Sequence, residues 1–139
     1  MQQKSGDISV LSGGLGLMEV TQQISGWVED AGIQEGLLTV FIQHTSASLT
    51  IQENTDPDVL LDLQDFYRKL APESHQFYRH TAEGLDDMPA HIKSSLTDVS
   101  LTIPVLHGKL KLGTWQGIYV FEHRSSPHHR NLALHLIGV

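Results

Sequence analysis

Residues 41–50 read FIQHTSASLT, and how that stretch is divided decides the architecture. Leu37 to Gln43 is an apolar, β-branched and aromatic run with the composition of a buried strand. At His44 it gives way to Thr45, Ser46, Ala47 and Ser48, and Leu49-Thr50-Ile51 takes up a second strand. Connections as short as this one favour antiparallel sheet over a doubly wound parallel one. The break also places an imidazole and three hydroxyls at the end of a stiff element, a position from which side chains can act on a ligand.

Working outward, Val20, Ile24, Trp27, Val28 and Ala31 recur at helical spacing and stop at Gly32. Asp56-Pro57 supplies a capping carboxylate followed by a proline at the first helical position, and Val59, Leu60, Leu63, Phe66, Tyr67 and Leu70 continue as an apolar stripe expected to be core. A first strand is expected around Ile8 to Leu11, a loop over Gly13 to Gly16 and another over 77–87, and a short helix from about Pro89 to Leu96. Further strands are expected near 99–104, 109–112, 117–123 and 131–137. In the last, Leu132, Leu134 and Leu136 alternate with Asn131, Ala133 and His135, which puts the leucines on one face. Strands outnumber helices and are joined mainly by short turns, so the expected fold is α+β: antiparallel sheets packed with a few helices in a single domain over 1–139.

The 139-residue length suits one hydrophobic core. No run approaches the length of an apolar membrane span, and the N-terminus lacks the pattern of a secretory signal, so a cytoplasmic location is expected. The absence of cysteine removes thiolate chemistry and cysteine zinc sites, leaving His, Asp and Glu to hold any metal. A formal charge of -7 is the wrong sign for tracking nucleic-acid phosphates, although a few focused cations would suffice for a small anionic substrate.

No phosphate-loop, dinucleotide, nucleophile-elbow or HExxH motif occurs. The histidines carry more information. His80, Glu83, Asp86, Asp87 and His91 crowd into YRHTAEGLDDMPAH, and His44 ends a strand. Three imidazoles converging on one point, oriented by neighbouring carboxylates, would make an open metal site; ordinary surface or core histidines are the alternative. EHRSSPHHR holds a rival group, His123, His128 and His129, whose last two fit an exposed turn. Arg124 and Arg130 flank that turn and are either anion-binding donors or solvated arginines. Trp115 is more readily a core residue than a stacking platform.

The segments HTSASLTIQENTDP, YRHTAEGLDDMPAHIKSSL and HGKLKLGTWQGIYVFEHR, with the strand that begins at Arg130, resemble the YjbQ family, described as secondary thiamine-phosphate synthases. The resemblance implies a compact α+β trimer with a site drawn from His44, Thr45, Asn54, His80, Glu83, Asp87, His91, Gln116 and Glu122. Carried onto this chain, it implies His44, His80 and His91 as ligands of a divalent metal. Zn or a similar transition metal suits imidazoles, and Mg is the usual partner of diphosphate. Glu83, Asp87, Thr45 and Gln116 are then catalytic, while Asn54, Arg130, Lys109 and Glu122 bind substrate. The implied reaction joins a hydroxymethylpyrimidine diphosphate to a thiazole phosphate and releases pyrophosphate. A metal-dependent hydrolase of a small ester or phosphate and a non-catalytic ligand-binding trimer are the alternatives.

Overall fold

The alternation read from the last strand organises the whole molecule. A computed structural model describes residues 1–139 and contains, in chain order, β1 (Gln2–Leu11), β2 (Gly16–Glu19), α1 (Thr21–Ala31), β3 (Glu35–Ile42), β4 (Ala47–Glu53), α2 (Pro57–Leu70), α3 (Asp87–Leu96), β5 (Ser100–Leu106), β6 (Lys109–Leu110), β7 (Gln116–Glu122) and β8 (His129–Gly138). Five strands form one antiparallel sheet in the order β1-β8-β3-β5-β6, and three form a second in the order β2-β7-β4. The chain leaves the first sheet at Ile42 and enters the second at Ala47, so the polar break in FIQHTSASLT is the step from one sheet to the other.

Leu132, Leu134 and Leu136 of β8 point inward with Leu38, Val40 and Ile42 of β3 and Leu101, Ile103 and Val105 of β5. They meet Leu49 of β4, Ile118 and Val120 of β7, and the fully buried stripe Val20, Ile24 and Val28 that leads into and lines α1. Gly32 ends α1 at φ 72°, a left-handed conformation that favours glycine. The opposite face of the five-stranded sheet carries Leu37, Phe41 and Ile137, each more than two-fifths exposed.

Several sequence expectations change. Gly16–Glu19, expected to begin as loop, is a strand paired with β7. β1 extends back to Gln2 because all ten of its residues pair with β8, an edge pairing made by main-chain hydrogen bonds that the polar sequence QQKSGDISVL does not advertise. Only two residues of the expected 109–112 strand pair. The α2 stripe is not core: no residue of that helix is fully buried, and Phe66 and Leu70 are more than half exposed. Its periodicity gives a direction, towards the small sheet where Tyr67 meets Phe121 edge-on, but not a depth. Trp115 is 60% exposed rather than core. The capping reading holds, with the Asp56 carboxylate accepting from Asp58 N–H and Pro57 opening the helix.

Candidate metal centre

Asp87 opens α3 and His91 follows one turn later, so both side chains lie on the same helix face. The preceding loop folds back over that face. Gly84, at φ 109°, takes a backbone conformation open mainly to glycine and lets His80 and Glu83 return towards Asp87. One donor atom each from His80, Glu83, Asp87 and His91 lies within 4.8 Å of all the others. Asp87 Oδ2 is the hub, 2.6 Å from His80 Nε2 and 3.1 Å from His91 Nε2, while Glu83 Oε2 stands 3.5 Å from His80 Nε2.

The carboxylate at the hub is 2% exposed, whereas His80 and Glu83 are open to solvent. Its second oxygen, Oδ1, lies 2.8 Å from Arg124 Nη1. Burial works to raise the Asp87 pKa, but hydrogen bonding to His80 and the charges of its neighbours outweigh it and hold the carboxyl below its ordinary value. His80 moves the other way, raised chiefly by its hydrogen bond to Asp87. Arg124 also donates to Asp86 Oδ2 at 2.9 Å, and Ser125 donates to the same oxygen from backbone and hydroxyl. Those bonds overcome burial and bring Asp86 down to about 2.

His91 is oriented from behind. Its Nδ1–H donates to the backbone carbonyl of Thr45 at 2.9 Å, which turns Nε2 to face the Asp87 carboxylate at 3.1 Å. Two acceptors so arranged require a cation between them, either a proton or a metal.

The other sequence-derived site residues are dispersed. His44 does not join the cluster within one chain: its Nε2 accepts from Asn131 N–H at 2.8 Å, and burial, with Arg130 nearby, lowers its pKa. Thr45 reaches the site through its carbonyl rather than its hydroxyl. Glu122 and Arg130, expected to bind substrate, are buried against each other; Arg130 donates from Nε and Nη2 to the two carboxylate oxygens and from Nη2 to Ser46, and Ser12 also donates to Glu122. Gln116 Oε1 accepts from Gly113 N–H and closes a turn at the far end of β7, about 20 Å from Glu122 by strand rise. Asn54 lies at that same end, its N–H donating to the Trp115 carbonyl. Lys109 is exposed on β6. From sequence Arg124 is only a candidate anion donor, Ser48 only one of three hydroxyls beside His44, and Lys93 and Thr97 carry no signal. Arg124 pairs with acids 37 and 38 residues earlier, and no local spacing links them.

A family model described as UPF0047 protein YjbQ-like matches residues 7–139. The chain is 53% identical to the UPF0047 protein sll1880 of Synechocystis over 90% of this chain and 85% of that one. It is 43% identical to the UPF0047 protein YjbQ of Escherichia coli O157:H7 over 98% and 97%. Among solved structures, an uncharacterised conserved protein of the YjbQ/UPF0047 family from Clostridium acetobutylicum superposes with a TM-score of 0.85 at 37% identity, over 94% of this chain and 98% of that one. A hypothetical protein from Aeropyrum pernix superposes with a TM-score of 0.88 at 28% identity, over 98% and 99%. By sequence over nearly its whole length and by fold, the chain belongs to the YjbQ (UPF0047) family.

Proposed function

We propose that His80, Asp87 and His91 hold a divalent transition metal, with Glu83 beside its open fourth position, and that the protein is a metal-assisted enzyme acting on a small anionic substrate. The observation that carries this reading is geometric: with His91 Nδ1 tied to the Thr45 carbonyl, its Nε2 and that of His80 address one carboxylate oxygen. Ligand atoms around a tetrahedral ion stand roughly 3.3 Å apart for bonds of about 2.0–2.1 Å. Asp87 Oδ2 stands 2.6 and 3.1 Å from the two imidazole nitrogens, somewhat short of that value, so side-chain adjustments of under an ångström accommodate an ion. Two imidazoles with carboxylates suit Zn or a neighbour in the transition series better than Mg, which prefers oxygen ligands and retained water.

A divalent ion there supplies Lewis-acid stabilisation of charge developing on a phosphate or diphosphate oxygen. The chain's own groups divide the remaining work. Arg124 holds Asp87 in place through Oδ1 and leaves Oδ2 turned to the imidazoles. The exposed Glu83 carboxylate, beside His80 and Asp87, is placed to take a proton from an incoming nucleophile.

In the transfer implied by family resemblance, pyrimidine diphosphate plus thiazole phosphate with release of pyrophosphate, an ion held by these residues would offset the charge of the leaving group. Hydrolysis of a small ester or phosphate is the second reading, favoured by the open position and proton acceptor that Glu83 provides. Pyrophosphate release that requires both thiamine precursors supports the transfer; turnover of phosphoesters that requires only water supports hydrolysis. Metal binding with neither activity would leave a ligand-binding protein and overturn the enzymatic reading. We place the protein in the cytoplasm as a homotrimer, the exposed Leu37, Phe41 and Ile137 face of the large sheet serving as contact surface between copies. No helix is long and apolar enough to cross a membrane.

A further inference from the structure

On the other side of α3 from His91, the helix forms one wall of a cavity of about 330 Å³ whose remaining walls include Leu15, Ala71 at the end of α2, and His123 just beyond β7. Pro89 and Lys93 line it from α3, and Glu73 and Asp86 also border it. The volume falls within the range of small-ligand sites.

One buried polar atom here has no hydrogen-bond partner, and a largely buried lysine beside it has no carboxylate within ion-pair distance. His123 is 1% exposed; its ring packs at a tilt on Phe121 and its Nε2 lies 2.9 Å from Ser48 Oγ, yet its Nδ1 bonds to nothing. Lys93 is 6% exposed; burial lowers its pKa, and the charges of Glu73 and Asp86 work against that shift without closing to an ion pair. A buried imidazole nitrogen left unpaired is rare in folded proteins, because it forfeits its hydration without compensation. His123 and Lys93 line the same cavity.

We propose that this cavity is a second ligand site, distinct from the His80–Asp87–His91 cluster, which takes a small monocarboxylate with its carboxyl group between the Lys93 ammonium and the His123 Nδ1–H. The apolar walls accept a short carbon body. The charges select a monoanion over phosphate. Arg68 is turned to Asp65, Asp86 is neutralised by Arg124, and Glu73 repels a second negative charge, so Lys93 balances one charge and no more. His123 contributes a hydrogen bond without charge, since burial, aided by Lys93, lowers its pKa to about 3 and keeps the ring neutral.

The ring needs its proton on Nδ1, and the structure holds the device that puts it there. Thr97 Oγ1 lies 2.6 Å from Ser48 Oγ and 2.8 Å from the Lys93 carbonyl, and its single hydroxyl proton serves one of them at a time. When Thr97 donates to Ser48, Ser48 donates to His123 Nε2 and the ring proton sits on Nδ1, towards the ligand. When Thr97 donates to Lys93 O and Ser48 turns to Thr97, the proton returns to Nε2. An arriving carboxylate selects the first arrangement.

Calorimetric titration of the intact protein with isobutyrate, pyruvate and inorganic phosphate, alongside ¹⁵N spectra of the His123 ring, tests the proposal. The expected result is one carboxylate per chain, phosphate binding weaker, and a shift of the His123 ring to the Nδ1–H tautomer on saturation. Lys93→Met should weaken carboxylate binding by about tenfold or more. Ala71→Leu, which fills the cavity without touching either polar group, should abolish binding in a protein that still melts cooperatively. No carboxylate binding at millimolar concentrations, binding unchanged in Lys93→Met, or phosphate bound more tightly than either carboxylate would each overturn it.

Discussion

Arg124 and Arg130 flank the same Ser-Pro turn, and their sequence context does not separate them. Arg130 is 3% exposed and engages both oxygens of a Glu122 that is wholly buried. Removing one member of such a pair strands the other charge away from water. Arg130→Met should therefore destabilise the fold by about 3–5 kcal/mol, measured by denaturant unfolding, in contrast to a surface anion-binding arginine, whose loss would cost about 0.5 kcal/mol or less. The acid response follows from the partner. Burial alone would raise the Glu122 pKa, but hydrogen bonds from Arg130, Ser12 and the Arg124 amide bring it below its ordinary 4.5. A carboxyl depressed in the folded state stabilises the protein above its unfolded pKa, and that contribution is lost as pH falls through the folded value. Glu122→Gln should thus be less stable at neutral pH and show a flatter loss of stability below about pH 4.5 than the parent protein.

At the scale of elements, α3 and the loop before it are held to the body by the Arg124 clamp on Asp86 and Asp87. Arg124→Ala should release that loop: amides of residues 81–91 should exchange with solvent faster while β8 amides keep their protection. Equal exchange in both regions would remove Arg124 from this positioning role. The same comparison explains what was legible in the sequence. Helix α1, the β8 alternation and the Asp56-Pro57 start are readable because burial imprints a period and caps have local chemistry, whereas the apolar run of β3 reads as wholly buried although Leu37 and Phe41 face outward. The grouping of His80, Glu83, Asp87 and His91 was also readable, because a single loop and helix contribute all four. The orientation of His44 was not, since its partner is a backbone amide 87 residues away. Nor was the burial of Glu122 and Arg130, because depth belongs to the packing of two sheets and leaves no periodic mark on a charged residue.

At the scale of the molecule, two sheets enclose one core, while the outer face of the larger sheet keeps Leu37, Phe41 and Ile137 exposed. Phe41→Glu on that face should convert a trimer to monomers in sedimentation velocity without unfolding the chain, because Phe41 points away from the core. A monomeric parent protein would contradict the proposed assembly. The most direct test of the central claim is metal content after chelator stripping and reloading with Zn, measured by elemental analysis on the parent protein, His91→Ala and His44→Ala. The account predicts one ion per chain in the parent protein and in His44→Ala, and at least a tenfold loss of affinity in His91→Ala with the melting transition preserved. Full metal retention by His91→Ala, or no stoichiometric metal in the parent protein, would contradict it.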